Sequence, residues 1–121
     1  MARALGVGGV FFKSPDPKAL GAWYRHWLGV EFDGHAASFV PSAMPAAGVT
    51  VWSPFAASTT YFDPARREFM INLVVDDLDG ALAQVKEGGA TLVGGIETFE
   101  YGRFGWFLDP DGNKIELWEP R

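Results

Sequence analysis

The stretch RFGWFLDPDGNKIELWEP, residues 103–120, reads as a strand, a tight turn and a second strand. Asp109-Pro-Asp-Gly112 supplies the turn, since proline presets the backbone of a bend and glycine tolerates its left-handed positions. On either side, apolar residues alternate with others, the period of a half-buried strand. Glu116 lies inside the second strand among apolar neighbours. A carboxylate there costs free energy unless it has a hydrogen-bonding partner or lines a pocket.

The remainder of the chain supports one compact unit. At 121 residues, 48% hydrophobic and 21% charged, it can bury about two-thirds of its unfolded surface. No apolar run reaches the roughly 20 residues of a membrane span, and Lys13 and Asp16 break up the apolar start, so neither a membrane segment nor a signal peptide is expected. Cysteine is absent. Disulfides, thiolate metal sites and cysteine nucleophiles are therefore excluded, in keeping with a cytoplasmic location. A net charge of −5 argues against nucleic acid, whose phosphates need a basic footprint.

Upstream, one pattern occurs twice. Val10-Phe11-Phe12-Lys13 leads through Ser14-Pro15-Asp16-Pro17 into a helix pattern ending at Gly29. Ile71 to Val75 leads through Asp77 into another, ending at Gly88. Asp16 and Asp77 suit the helix N-cap and Pro17 the first helical position. Gly29 and Gly88 can end a helix in the left-handed conformation. Asp33-Gly34 signals a hairpin between residues 30–32 and 36–40, and residues 48–53 read as a further strand. Residues 91–96, 103–108 and 113–118 are the corresponding strands of the second half. The expected fold is α+β: two tandem βαβββ modules, about 5–53 and 68–119, joined by 54–67 in a single domain over 1–121. Neither half is large enough to stand alone, so curled mixed sheets enclosing a cleft are expected, and such a cleft is a natural ligand site.

These modules, the Trp23-Tyr24…Leu28-Gly29 helix end, Val75-Asp-Asp-Leu-Asp79 and Asp109-Pro-Asp-Gly-Asn-Lys-Ile-Glu-Leu-Trp118 together resemble the vicinal oxygen chelate superfamily of glyoxalase I, bleomycin-resistance proteins and extradiol dioxygenases. The resemblance implies a homodimer. It also implies metal ligands on the first and last strands of each half: His or Gln, Glu, His, Glu. Only Glu116 matches. The first-strand positions fall on Gly9 and Met70, and residues 36–62 offer no acid or imidazole as a last-strand ligand in that half. His26 and His35 lie in a helix and beside a turn. About three protein ligands are needed for a catalytic divalent ion, so a metal is disfavoured and no other cofactor is indicated.

Strand alternation places Lys114, Glu116 and Trp118 on the cleft face, with Ile115 and Leu117 under the helices. Phe11, Lys13, Trp52, Met70, Asn72, Tyr101, Arg103 and Trp106 complete the expected ligand-binding set. Glu116 pairing with Lys13 or an arginine is its purely structural role. The expected function is binding of a small aromatic or cationic molecule among aromatic rings. The alternative is lyase, isomerase or dioxygenase chemistry with Glu116 as metal ligand or general acid/base.

Overall fold

The computed structural model describes Met1–Arg121. Helix α1 spans Pro17–Leu28, with Asp16 Oδ1 accepting from the Ala19 N–H at 3.1 Å and Gly29 closing it at φ 63°. A single 3₁₀ turn follows at Pro41–Ala43. The second half contains β1 (Ile71–Val74), α2 (Leu78–Glu87), β2 (Thr91–Leu92), β3 (Glu97–Phe99), β4 (Gly102–Leu108) and β5 (Lys114–Pro120). Asp77 caps α2 by accepting from the Gly80 N–H at 3.0 Å. Gly88, expected in the left-handed conformation, has φ −74°; Gly89, at φ 93°, takes that role. No helix is long and apolar enough to cross a membrane.

The sheet runs β1–β5–β4–β2, and β3 also pairs with β4. β1 is parallel to β5, while β2, β3 and β5 are antiparallel to β4. The strand expected over 91–96 shortens to β2, ending before Gly94 and Gly95, and β3 forms beyond it at Glu97–Phe99. The left-handed Gly94, φ 67°, is a break that most side chains resist. The second half thus runs βαββββ, one short strand more than the expected βαβββ.

Alternation along β4 and β5 sends Phe107, Ile115 and Leu117 to one face, where they pack with Leu78, Ala81 and Val85 of α2. Burial of each large side chain in this core contributes about 1.5–3 kcal/mol. Helix α1 lies beside α2. Trp23 Nε1 donates to the Gly88 carbonyl at 2.8 Å, and the Trp23 ring lies 5.9 Å from Phe107. Gln84 Nε2 returns a bond to the Trp27 carbonyl at 2.7 Å.

The first half departs from expectation. Its helix forms, but residues 1–14, 29–40 and 48–53 contain no strand. The Asp33-Gly34 turn is made, with Asp33 Oδ1 accepting from the His35 and Ala36 N–H groups. Its arms extend no ladder beyond the Asp33–Ala36 backbone bond. A hairpin needs further strands or a covering helix to persist, and α1 has joined the second half's core. A second curled sheet is therefore absent. One face of the single sheet is covered by helices, and the 54–67 connection lies on the other, where Trp106, Lys114 and Trp118 are buried.

Candidate functional site

The face away from the helices is built by strand register. Asn72 of β1 lies opposite Glu116 of β5, and Glu116 lies opposite Trp106 of β4. Trp118 is opposite Phe104, and Phe104 is opposite Glu97 of β3. Lys114, Glu116 and Trp118 therefore share a face with Phe104, Trp106, Asn72 and Glu97.

Glu116 is held at the centre by neutral donors. Asn72 Nδ2 donates to Oε1 at 2.7 Å, and Trp106 Nε1 donates to Oε2 at 2.9 Å. The Tyr61 hydroxyl donates to the same Oε2 at 2.5 Å. No lysine or arginine forms a salt bridge with this carboxylate; the ion pairs of the chain are Arg103 with Asp79 and with Glu119. The expected pairing with Lys13 or an arginine is not made. Burial, then the hydrogen bond to Glu116 and its charge, push the Tyr61 hydroxyl well above the ordinary tyrosine range.

Lys114 is only 7% exposed. Its Nζ donates to the Tyr61 carbonyl at 2.5 Å and lies 5.0 Å from the Tyr61 ring and 6.0 Å from the Trp106 ring. Burial lowers its pKa from the usual lysine value, against the opposing pull of Glu116, Asp63 and Glu97.

Aromatic rings pave the rest of the face. Phe104 and Trp118 lie nearly parallel, 2° apart with centroids at 6.0 Å, and Phe104 stacks on Trp106 at 6.5 Å. Tyr61 meets Trp106 edge-on at 6.4 Å and stacks on Phe55 at 5.7 Å. At the other end, Tyr101 stacks on Phe99 at 5.4 Å and meets Phe104 edge-on at 5.7 Å.

Asn72, Trp106, Glu116 and Trp118 are thus brought together as expected, and Tyr101 stands at the rim. Half-buried Met70 just precedes β1. The other expected residues are elsewhere. Phe11 is 96% exposed, Trp52 is 79% exposed, and Lys13 is exposed, because the first-half strands that were to carry them do not form. Arg103 belongs to the opposite face. Its guanidinium forks onto Asp79 at 3.0 and 3.2 Å, while Glu119 caps α2 through the Leu78 N–H at 2.8 Å. Its place in β4 explains this: Arg103 has the parity of Phe107, not of Trp106.

Sequence reading missed Tyr61 as a site residue. It lies in the 54–67 connection, and the only signal was the aromatic spacing Phe55…Tyr61-Phe62 in an otherwise polar segment. That segment folds onto the sheet and buries Ala65.

Residues 9–118 match the glyoxalase-like domain family. The chain belongs to that family. The glyoxalase-like domain is also similar to solved structures. One, a member of the glyoxalase/bleomycin resistance protein/dioxygenase superfamily from Sphaerobacter thermophilus, is 38% identical over 40% of each chain, with a TM-score of 0.37. An antibiotic-binding protein from Streptomyces sp. CB03234 is 34% identical over 45% of each chain, with a TM-score of 0.39. An integron cassette protein from V. cholerae is 23% identical over 86% of each chain, with a TM-score of 0.49. The first two likenesses span less than half the length of the proteins matched. No curated protein matches the domain significantly.

The superfamily implies a divalent metal beside Glu116, and the donor set here does not fit one. No cluster of three His, Cys, Asp or Glu side chains exists in the chain. Both Glu116 oxygens already accept from O–H or N–H donors, whereas a metal site needs several lone-pair donors converging on one point.

Proposed function

We propose that the glyoxalase-like domain binds a small planar molecule, aromatic or cationic, on the sheet face around Glu116, without a metal ion. The observation that carries this reading is a carboxylate bonded to three neutral donors in the middle of stacked aromatic rings. Neutral donors orient the carboxylate without cancelling its charge. A cation there gains attraction from Glu116 and Glu97 and from the ring faces. A planar ligand stacks against half-buried Phe104 and removes apolar surface from water. Specificity then rests on a few polar groups among apolar contacts, the usual make-up of a small-molecule site.

The test is a tryptophan-fluorescence titration with phenyltrimethylammonium, benzyl alcohol and benzoate, which share a ring and differ in charge. Saturable quenching strongest for the cation and weakest for the anion supports the reading. Equal or absent responses to all three would refute it.

A further inference from the structure

Residues 54–67 cross the sheet face that carries Glu116 without being woven into it. The segment contains no helix or strand. Its backbone hydrogen bonds are all internal: the Thr59 N–H donates to the Ala56 carbonyl, Asp63 to Thr60 and Ala65 to Phe62. Three side chains make every hydrogen bond between the segment and the rest of the chain. The Tyr61 hydroxyl donates to Glu116, Lys114 donates to the Tyr61 carbonyl, and Arg67 donates to the Asn113 side chain and the Asp111 carbonyl. Arg67 thus ties down the end that leads into β1, while Tyr61 is the point that meets the site. A segment with no backbone bonds to its surroundings opens at a lower free-energy cost than the sheet it lies on.

Tyr61 itself has the make-up of a ligand for this face. Its ring meets Trp106 edge-on and stacks on Phe55. Its hydroxyl donates to Glu116 Oε2, the oxygen that also accepts from Trp106 Nε1. Trp106 is only 7% exposed, whereas Tyr61 and Phe55 are 39% and 47% exposed. The ring that covers the site is therefore open to solvent, and it can leave without disturbing the apolar core on the other side of the sheet. We propose that Tyr61 is a built-in occupant of the site, an autoinhibitory contact, and that a ligand binds by taking its place, an inference that rests on the reading of this face as a binding surface. Release of Tyr61 deprives Glu116 Oε2 of one donor. Among ligands of equal charge, the site accordingly favours an aromatic ring that bears an O–H or N–H group and restores that bond. The site is competent only while Tyr61 is released, so the observed affinity is the intrinsic affinity reduced by the released fraction.

The experiment titrates the full chain and its Tyr61→Phe variant with p-cresol, 4-methylanisole and phenyltrimethylammonium by calorimetry. Hydrogen exchange of the peptide spanning 54–67 is then followed in the wild type with and without p-cresol. p-Cresol carries the ring and hydroxyl of tyrosine, and 4-methylanisole lacks the donor. Tyr61→Phe keeps the ring and removes only the hydroxyl that holds it at Glu116. The variant is expected to bind p-cresol about tenfold more tightly than the wild type, the weight of one hydrogen bond to a charged group. Both proteins are expected to bind 4-methylanisole more weakly than p-cresol, and p-cresol is expected to speed exchange across 54–67. Unchanged or weaker p-cresol binding by the variant, or exchange that fails to rise, overturns the proposal: Tyr61 is then a wall of the site and not its occupant. Phenyltrimethylammonium separates the two readings. Its saturable binding to the wild type, with no gain for p-cresol in the variant, defeats the occupant and leaves the binding surface. Binding of the probes to the variant alone supports the occupant. No binding of any probe to either protein defeats the surface and the occupant with it.

Discussion

Glu116 shows what one side chain gains from strand register. A single position sets Asn72 on one side of it and Trp106 on the other, and the connection adds Tyr61 from above. Glu116→Gln keeps the shape but replaces one acceptor by a donor, so at least one of the three bonds is lost or reversed. A loss of about 1–2 kcal/mol of stability is expected, the value of a bond to a charged group, measurable as a lower urea midpoint with unchanged slope. Trp106→Phe removes one donor and keeps most of the apolar surface. It is expected to cost about 1 kcal/mol and to diminish ligand-induced fluorescence changes if Trp106 is the reporter. The alternation of residues 114–118 made this face legible in the sequence. Tyr61 was not legible, because nothing in a loop's composition says where its side chains land.

At the scale of elements, the helix caps were readable because their chemistry is local. Asp16 and Asp77 both accept the expected N–H bonds. The strands depended on which partners were available, which is a tertiary property. Residues 103–108 and 114–118 formed a ladder because each found the other across the Asp109–Gly112 turn. Residues 48–53 are comparably apolar and formed none. The start of β4 also depends on one glycine. Gly102 has φ 142°, and a Cβ there would lie 2.4 Å from the Glu119 carbonyl oxygen and 2.5 Å from Trp118 Nε1. Gly102→Ala should therefore strain the backbone and disturb the Trp118 bond to the Tyr101 carbonyl. A cost of about 2–3 kcal/mol is expected, with a changed tryptophan emission and a lower melting temperature as the readouts.

For the whole molecule, the two halves are joined through α1 and the 109–113 turn. The Tyr24 hydroxyl donates to Asp109 Oδ2 at 2.8 Å, while Asn113 Nδ2 donates to the same oxygen at 3.0 Å. Burial, followed by the charge of Asp109 and its hydrogen bond, push the Tyr24 hydroxyl far above its ordinary value. Tyr61 is shifted in the same direction. Above about pH 10 the unfolded chain releases these protons while the folded chain retains them, so stability falls as pH rises. Lys114, shifted downward by burial, contributes in the opposite sense. A urea midpoint measured across alkaline pH should decline, and Tyr24→Phe should decline less steeply. The same variant should lose about 1–3 kcal/mol at neutral pH by leaving Asp109 short of a donor. The family was legible from the motifs of the second half. The single sheet was not, because the repeated pattern gave no sign that α1 would pack on the second half's core. The most direct test of the account compares phenyltrimethylammonium affinity in wild type and Glu116→Gln by tryptophan fluorescence. A saturable site weakened about tenfold by the substitution is the expected result, equal to about 1.4 kcal/mol of lost attraction. Equal affinity in both proteins, with the variant still folded, would contradict the central role given to Glu116.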